Sequence, residues 1–170
     1  AGAHQTTYAG GGDGLLACFD TNASGAASLL WSTYFGDDDS IQSIRSVAVD
    51  ALGRAHVAGG GSVEFKEPFL SLTGDFKYFH AIFDGAGALV SCSSFSGNNP
   101  DYIYDELGRI RIDPFGNDWM VGTTTSTDLA LEPVFQTQHA GGGEDAFIAK
   151  IALQPATAAA VSTRAPCSGV

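Results

Sequence analysis

Apolar residues in this chain gather in short runs of roughly four to seven, broken by glycine and polar turn residues. Runs of that length, interrupted so often, exclude helices of ordinary size and read as β-strands. The pattern predicts strands near 14–20, 28–36, 44–50 and 54–60, with counterparts about 64 residues further on. Three runs are close copies: Gly14-Leu15-Leu16-Ala17-Cys18-Phe19-Asp20, Tyr78-Phe79-His80-Ala81-Ile82-Phe83-Asp84 and Ala146-Phe147-Ile148-Ala149-Lys150-Ile151-Ala152. Phe19 and Phe83 are 64 residues apart, and Phe83 and Ile151 are 68 apart.

Other elements return at the same interval. Trp31-Ser32-Thr33-Tyr34-Phe35-Gly36 aligns with Cys92-Ser93-Ser94-Phe95-Ser96-Gly97, and Val47-Ala48-Val49-Asp50-Ala51-Leu52-Gly53 with Ile110-Arg111-Ile112-Asp113-Pro114-Phe115-Gly116. Each Asp-x-x-Gly connector predicts a hairpin turn, because Asp bonds to the following amides and Gly accepts positive φ. Gln5-Thr6-Thr7-Tyr8-Ala9-Gly10-Gly11-Gly12 recurs two periods later as Gln136-Thr137-Gln138-His139-Ala140-Gly141-Gly142-Gly143. Four strands per period of about 64 residues is what one propeller blade needs, a small sheet whose faces are buried only by its neighbours.

The order of motifs resembles the bacterial SBBP, or seven-bladed β-propeller, repeats. The matching residues are Asp145-Ala146-Phe147-Ile148-Ala149-Lys150, Ser32-Thr33-Tyr34-Phe35-Gly36, Val47-Ala48-Val49-Asp50, Val121-Gly122-Thr123-Thr124 and Phe135-Gln136-Thr137, and the likeness covers roughly 4–153. The segment Pro68-Phe69-Leu70-Ser71-Leu72-Thr73-Gly74-Asp75 departs from the pattern, lacking its Gln-Thr-Thr and triple glycine. The resemblance implies an all-β partial β-propeller of about two and a half four-stranded antiparallel blades. Residues 1–13 would end a preceding blade and form an interblade turn. Residues 14–73 would be a first blade, 74–140 a second and divergent one, 141–153 the first strand of a third, and 154–170 a linker or disordered tail.

Composition changes this picture little but bounds the surroundings. Hydrophobic residues form 44% of the chain, enough for a packed core, and 22 glycines fit many tight turns. A formal net charge of −11 disfavours nucleic acid and anionic lipid as partners and suits an extracellular or cell-surface setting. No run approaches the roughly 20 apolar residues of a membrane span, so no membrane insertion is expected. Cys18, Cys92 and Cys167 have no zinc-type spacing and read as buried, inert thiols, with a disulfide left open.

Candidate chemistry is sparse. Asp37-Asp38-Asp39 would offer hard oxygen ligands to calcium, but adjacent side chains point apart and a solvated acidic loop explains them better, so no metal site is expected. Asp20-x-Asn22-x-Ser24-Gly25 starts like an EF-hand loop, but Trp31 stands where the bidentate Glu belongs, so a turn is expected. Asn22-Ala23-Ser24 spells a glycosylation sequon, a frequent accident that means little if the source is bacterial. His4, His56, His80 and His139 have no ligand spacing and read as core or strand-face residues. The glycine runs at 10–14 and 141–143 lack a following Lys-Ser/Thr and read as interblade turns. Trp31, Tyr34, Phe35, Phe95 and Trp119 suit interblade packing better than a carbohydrate platform.

These features favour a non-catalytic propeller repeat module, with no cofactor, that displays its loop face to a protein or glycan. The alternative is a fragment of a propeller-fold polysaccharide hydrolase or lyase, for which Asp105, Glu106 and Asp128 are the one-off carboxylates. Propellers close with about four to eight blades. The remaining blades are therefore expected from a longer chain or from further copies.

Overall fold

A computed structural model of the chain describes residues 3–36, 42–61, 77–97, 107–129, 136 and 138–152. Among them nine strands form: β1 (Gly14–Phe19), β2 (Leu29–Phe35), β3 (Gln42–Val49), β4 (Ala55–Gly61), β5 (Lys77–Phe83), β6 (Leu89–Phe95), β7 (Leu107–Ile112), β8 (Asp118–Thr124) and β9 (Asp145–Ile151). All pairings are antiparallel and sequential, giving sheets β1-β2, β3-β4-β5-β6 and β7-β8-β9. The fold is all-β and propeller-like, with three antiparallel sheets of two, four and three strands among the described residues. The only helical element among the described residues is a single 3-10 turn at Gly25–Ser28, in the β1–β2 connection.

The hairpins close as the Asp-x-x-Gly connectors predict. At β3–β4 the Gly53 amide donates to the Asp50 carbonyl (3.0 Å), and the Asp50 side chain accepts from the amides of Leu52 (2.9 Å) and Arg54 (2.8 Å). Asp113 does the same for Phe115 and Asn117 (both 2.9 Å) between β7 and β8. Gly53 and Gly116 sit at φ +76° and +83°, where an L side chain is strained. Asp84 repeats the arrangement between β5 and β6, its side chain accepting from the amides of Ala86 and Ala88 (both 2.9 Å). Asp20 caps the Asn22 amide (2.8 Å), a turn rather than a calcium loop.

Sheet boundaries fall in a different phase from the blades expected at 14–73 and 74–140. β4 pairs with β5 across the 73/74 boundary, and β9 is the third strand of its sheet rather than the first of a new one. The apolar repeat fixes the period of a four-strand unit, but any four consecutive strands carry the same pattern. Only the hydrogen-bonded pairing sets where a sheet begins.

Residues 4–8 run beside β2. The Tyr34 amide donates to the Gln5 carbonyl (2.9 Å), and the Gln5 amide donates to Thr33 Oγ1 (2.9 Å). The glycine run that follows is a turn, with Asp13 accepting from the Ala9 amide (2.9 Å) as Asp145 accepts from Ala140 (2.5 Å) two periods later. Residues 62–76, 98–106 and 153–170 lie outside the described set.

Side-chain alternation explains the core. In β4 and β5 every described side chain is buried, on both faces. One set, Ala55, Val57, Phe79, Ala81 and Phe83, packs with Leu16 and Phe35 of β1-β2. The other, Ala58 and Tyr78, packs with Phe95 of β6 and with Ile110, Met120, Ala149 and Ile151 of β7-β8-β9. Tyr78 also donates its hydroxyl to the Thr123 carbonyl (2.5 Å), a polar tie between two sheets. The middle sheet is thus covered twice, which a strand without apolar neighbours on each side would not tolerate.

Candidate functional site

The same alternation that sends Ala58 and Tyr78 toward β7-β8-β9 sends His56 of β4 and His80 of β5 there too. They are diagonal neighbours, since His56 pairs with Ile82 and Ala58 pairs with His80. Their ring centroids are 6.0 Å apart and both rings are buried. Asp118, the first residue of β8, reaches them from the facing sheet and is fully buried.

One carboxylate oxygen serves both rings. Asp118 Oδ2 lies 2.7 Å from His56 Nδ1 and 2.8 Å from His80 Nε2. The other nitrogen of His56, Nε2, faces Asp50 Oδ2 at 3.3 Å, and Asp50 Oδ2 accepts from Arg54 Nε at 2.6 Å. The result is a hydrogen-bonded chain, Arg54–Asp50–His56–Asp118–His80, running from the β3–β4 turn into the gap between two sheets.

The electrostatics follow from this geometry. Burial alone would raise the Asp118 carboxyl, but hydrogen bonds from His56 and His80 and attraction to both rings outweigh it, and its pKa falls below the usual value. Burial would lower His56, yet its bond and attraction to Asp118, then to Asp50, reverse the sign and raise it. Asp50 is pushed upward by burial and pulled further down by the Arg54 amide and guanidinium, the His56 ring and the Leu52 amide, to about 2. Both carboxylates are ionised at neutral pH. His56 therefore has an acceptor opposite each ring nitrogen, so a positive charge must sit there, as a second ring proton or as a cation. Asp118 Oδ1 is buried and has no hydrogen-bond partner.

The expectation that His56 and His80 are core residues holds for their burial, but they also hydrogen-bond to a shared carboxylate, which spacing along the chain does not reveal. They are 24 residues apart, and Asp118 is 38 beyond His80. A signal was present in the repeat itself. His80 stands where the copies carry Leu16 and Ile148, Asp118 where the other copy has Ala55, and His56 opposite Trp119. Three titratable residues that their repeat counterparts do not share meet at one point.

The other candidates are dispersed. Asp37, Asp38 and Asp39 lie outside the described residues, as do Asp105, Glu106 and Cys167. Asp128 is exposed, beyond the end of β8. His139 lies by Asp145, with Nδ1 3.7 Å from its carboxylate, in the turn before β9. His4 packs against Phe35 and Phe83, and burial lowers its pKa. Cys18 and Cys92 are not disulfide-bonded and are half-buried rather than buried, because each lies on a strand face only partly covered. Phe35 and Phe95 are core residues, while Trp31 packs at the edge of the core and donates Nε1–H to the Gly85 carbonyl (2.9 Å). Trp119 is the exposed member, with Lys150 Nζ 5.3 Å from its ring centroid. No helix among the described residues is long and apolar enough to cross a membrane.

No protein-family model matches the chain, and no curated protein is significantly similar to it.

Proposed function

We propose that the chain is a run of SBBP-type propeller repeats serving as a non-catalytic extracellular binding or scaffold module. In this reading its two end sheets stack against further blades, supplied by a longer chain or by another copy, and its loop face meets a protein or glycan. The supporting observation is a matched set of exposures. Leu16 and His80 occupy one repeat position and are buried by the next sheet, while Ile148 at the same position is 71% exposed. Phe83 and Ile151 are buried by the preceding sheet, while Phe19 at their position is 59% exposed. Phe79 is buried, and its counterpart Leu15 is 60% exposed. Val121 and Trp119 of β8 are likewise exposed where Ala58 and His56 of β4 are covered.

Apolar side chains left in water on the end sheets at positions that a neighbouring sheet covers in the other copies fit an interrupted stack. Asp50 and Asp113, which repeat at equal places, act as turn caps, in keeping with a scaffold. Multi-angle light scattering on the chain tests the proposal: association through the end sheets is expected. A stable, soluble monomer at high protein concentration would refute it.

A further inference from the structure

From His56, His80 and Asp118 we infer a binding site for one divalent transition-metal ion of the zinc class, clipping the middle sheet to β7-β8-β9. One ligand atom from each of the three residues lies within 4.8 Å of the other two, and the nitrogens that face Asp118 are His56 Nδ1 and His80 Nε2. Bonds of about 2.0–2.2 Å to a tetrahedral ion place its donors about 3.3–3.5 Å apart, so Asp118 Oδ2, now in hydrogen-bond contact at 2.7 and 2.8 Å, has to draw back from both rings by roughly half an ångström or more to admit the ion. Imidazole nitrogen with one carboxylate is a donor set suited to zinc and its neighbours rather than to calcium or magnesium.

Three independent features point to a cation rather than to protons alone. Asp118 Oδ1 is buried without a partner, and bidentate coordination would satisfy it and supply a fourth donor. His56 turns its Nε2 toward the Asp50 carboxylate, the outer partner that fixes the tautomer and orientation of a metal-bound imidazole. Asp50 is itself held by Arg54, so that partner is rigid. His80 also replaces the apolar Leu16 and Ile148 of the other two copies, and Asp118 the Ala55 of its one copy, which packing alone does not require. On binding, the metal takes the place of the protons on His56 Nδ1 and His80 Nε2, while Asp118 stays ionised and His56 keeps its Nε2–H on Asp50.

The test uses the full chain stripped with a chelator, then titrated with zinc by calorimetry and with cobalt(II) by visible absorption. One ion per chain is expected, with a rise in Tm and the cobalt bands of a low-coordinate site. His80→Leu, which installs the residue of the first copy, should abolish uptake, and Asp50→Asn should weaken it about 10- to 100-fold. His139→Ala should leave it unchanged. If His80→Leu does not fold, X-ray absorption of the cobalt-loaded wild-type chain decides, two imidazole ligands being expected. Absence of zinc uptake by the wild-type chain, an unchanged Tm, fewer than two imidazoles, or loss of binding in His139→Ala would each overturn the assignment. None of these readouts depends on end-sheet association, so the two proposals fail separately.

Discussion

Leu16 and Ile148 stand at the same position of the repeat, and truncating each to alanine separates a residue's character from its surroundings. Leu16 is 9% exposed, within the cluster that joins β1-β2 to the middle sheet, whereas Ile148 is 71% exposed on the outer face of β9. Each change to alanine removes three carbons. At about 0.8 kcal/mol per buried carbon the transfer loss at Leu16 is about 2.4 kcal/mol, and the void left behind brings the total to about 3 kcal/mol. At Ile148 less than a third of that area is covered, so the same arithmetic gives under about 0.7 kcal/mol. Loss of β-propensity acts on both variants alike, since both positions are in strands. Guanidinium denaturation followed by circular dichroism measures the difference, in dilution, because association raises apparent stability by mass action. At high concentration Ile148→Ala should instead weaken association seen by light scattering. The reasoning fails if dilute Ile148→Ala costs as much as Leu16→Ala.

Two further tests address the turns. Asp113 is held below the ordinary carboxylate range, first by the Asn117 side chain and then by the Asn117 amide, the Trp119 indole and the Phe115 amide. A depressed carboxylate stabilises the folded state above its unfolded pKa of about 4, and that contribution is lost as pH falls through the lower folded value. Carbon-detected NMR of the Asp113 carboxyl should therefore show titration shifted to lower pH than in an unfolded peptide; titration at the ordinary value would contradict the capping role. Gly116→Ala should destabilise by about 1–2 kcal/mol through its φ of +83°, since an added Cβ meets nothing within 4 Å. Gly116→Asn should be milder, and equal loss in both variants would point to a steric cause instead.

The strands and their hairpins were legible in the sequence, because a side-chain period of two and a turn chemistry of Asp and Gly are local properties. The expected strand near 44–50 and its neighbour near 54–60 correspond to β3 and β4, with Asp50 and Gly53 closing the turn between them. The bulges were not legible, although they too recur with the period. One falls at Cys18/Phe19 and again at Ile82/Phe83, another at Ile44/Ser46 and again at Leu107/Arg109. A bulge depends on how two strands meet rather than on either alone.

The local repeat also determined the order of the strands and which positions are apolar. What only the tertiary structure decided is where each sheet begins, which repeat copies find a covering neighbour, and that His56, His80 and Asp118 share one buried point. Those outcomes rest on contacts between strands far apart in the chain. An apolar pattern states that a face must be buried, whereas the packing of one sheet on the next determines what buries it. In the gap above His56 and His80, that covering residue is Asp118, a charge that stays buried because both rings donate to it.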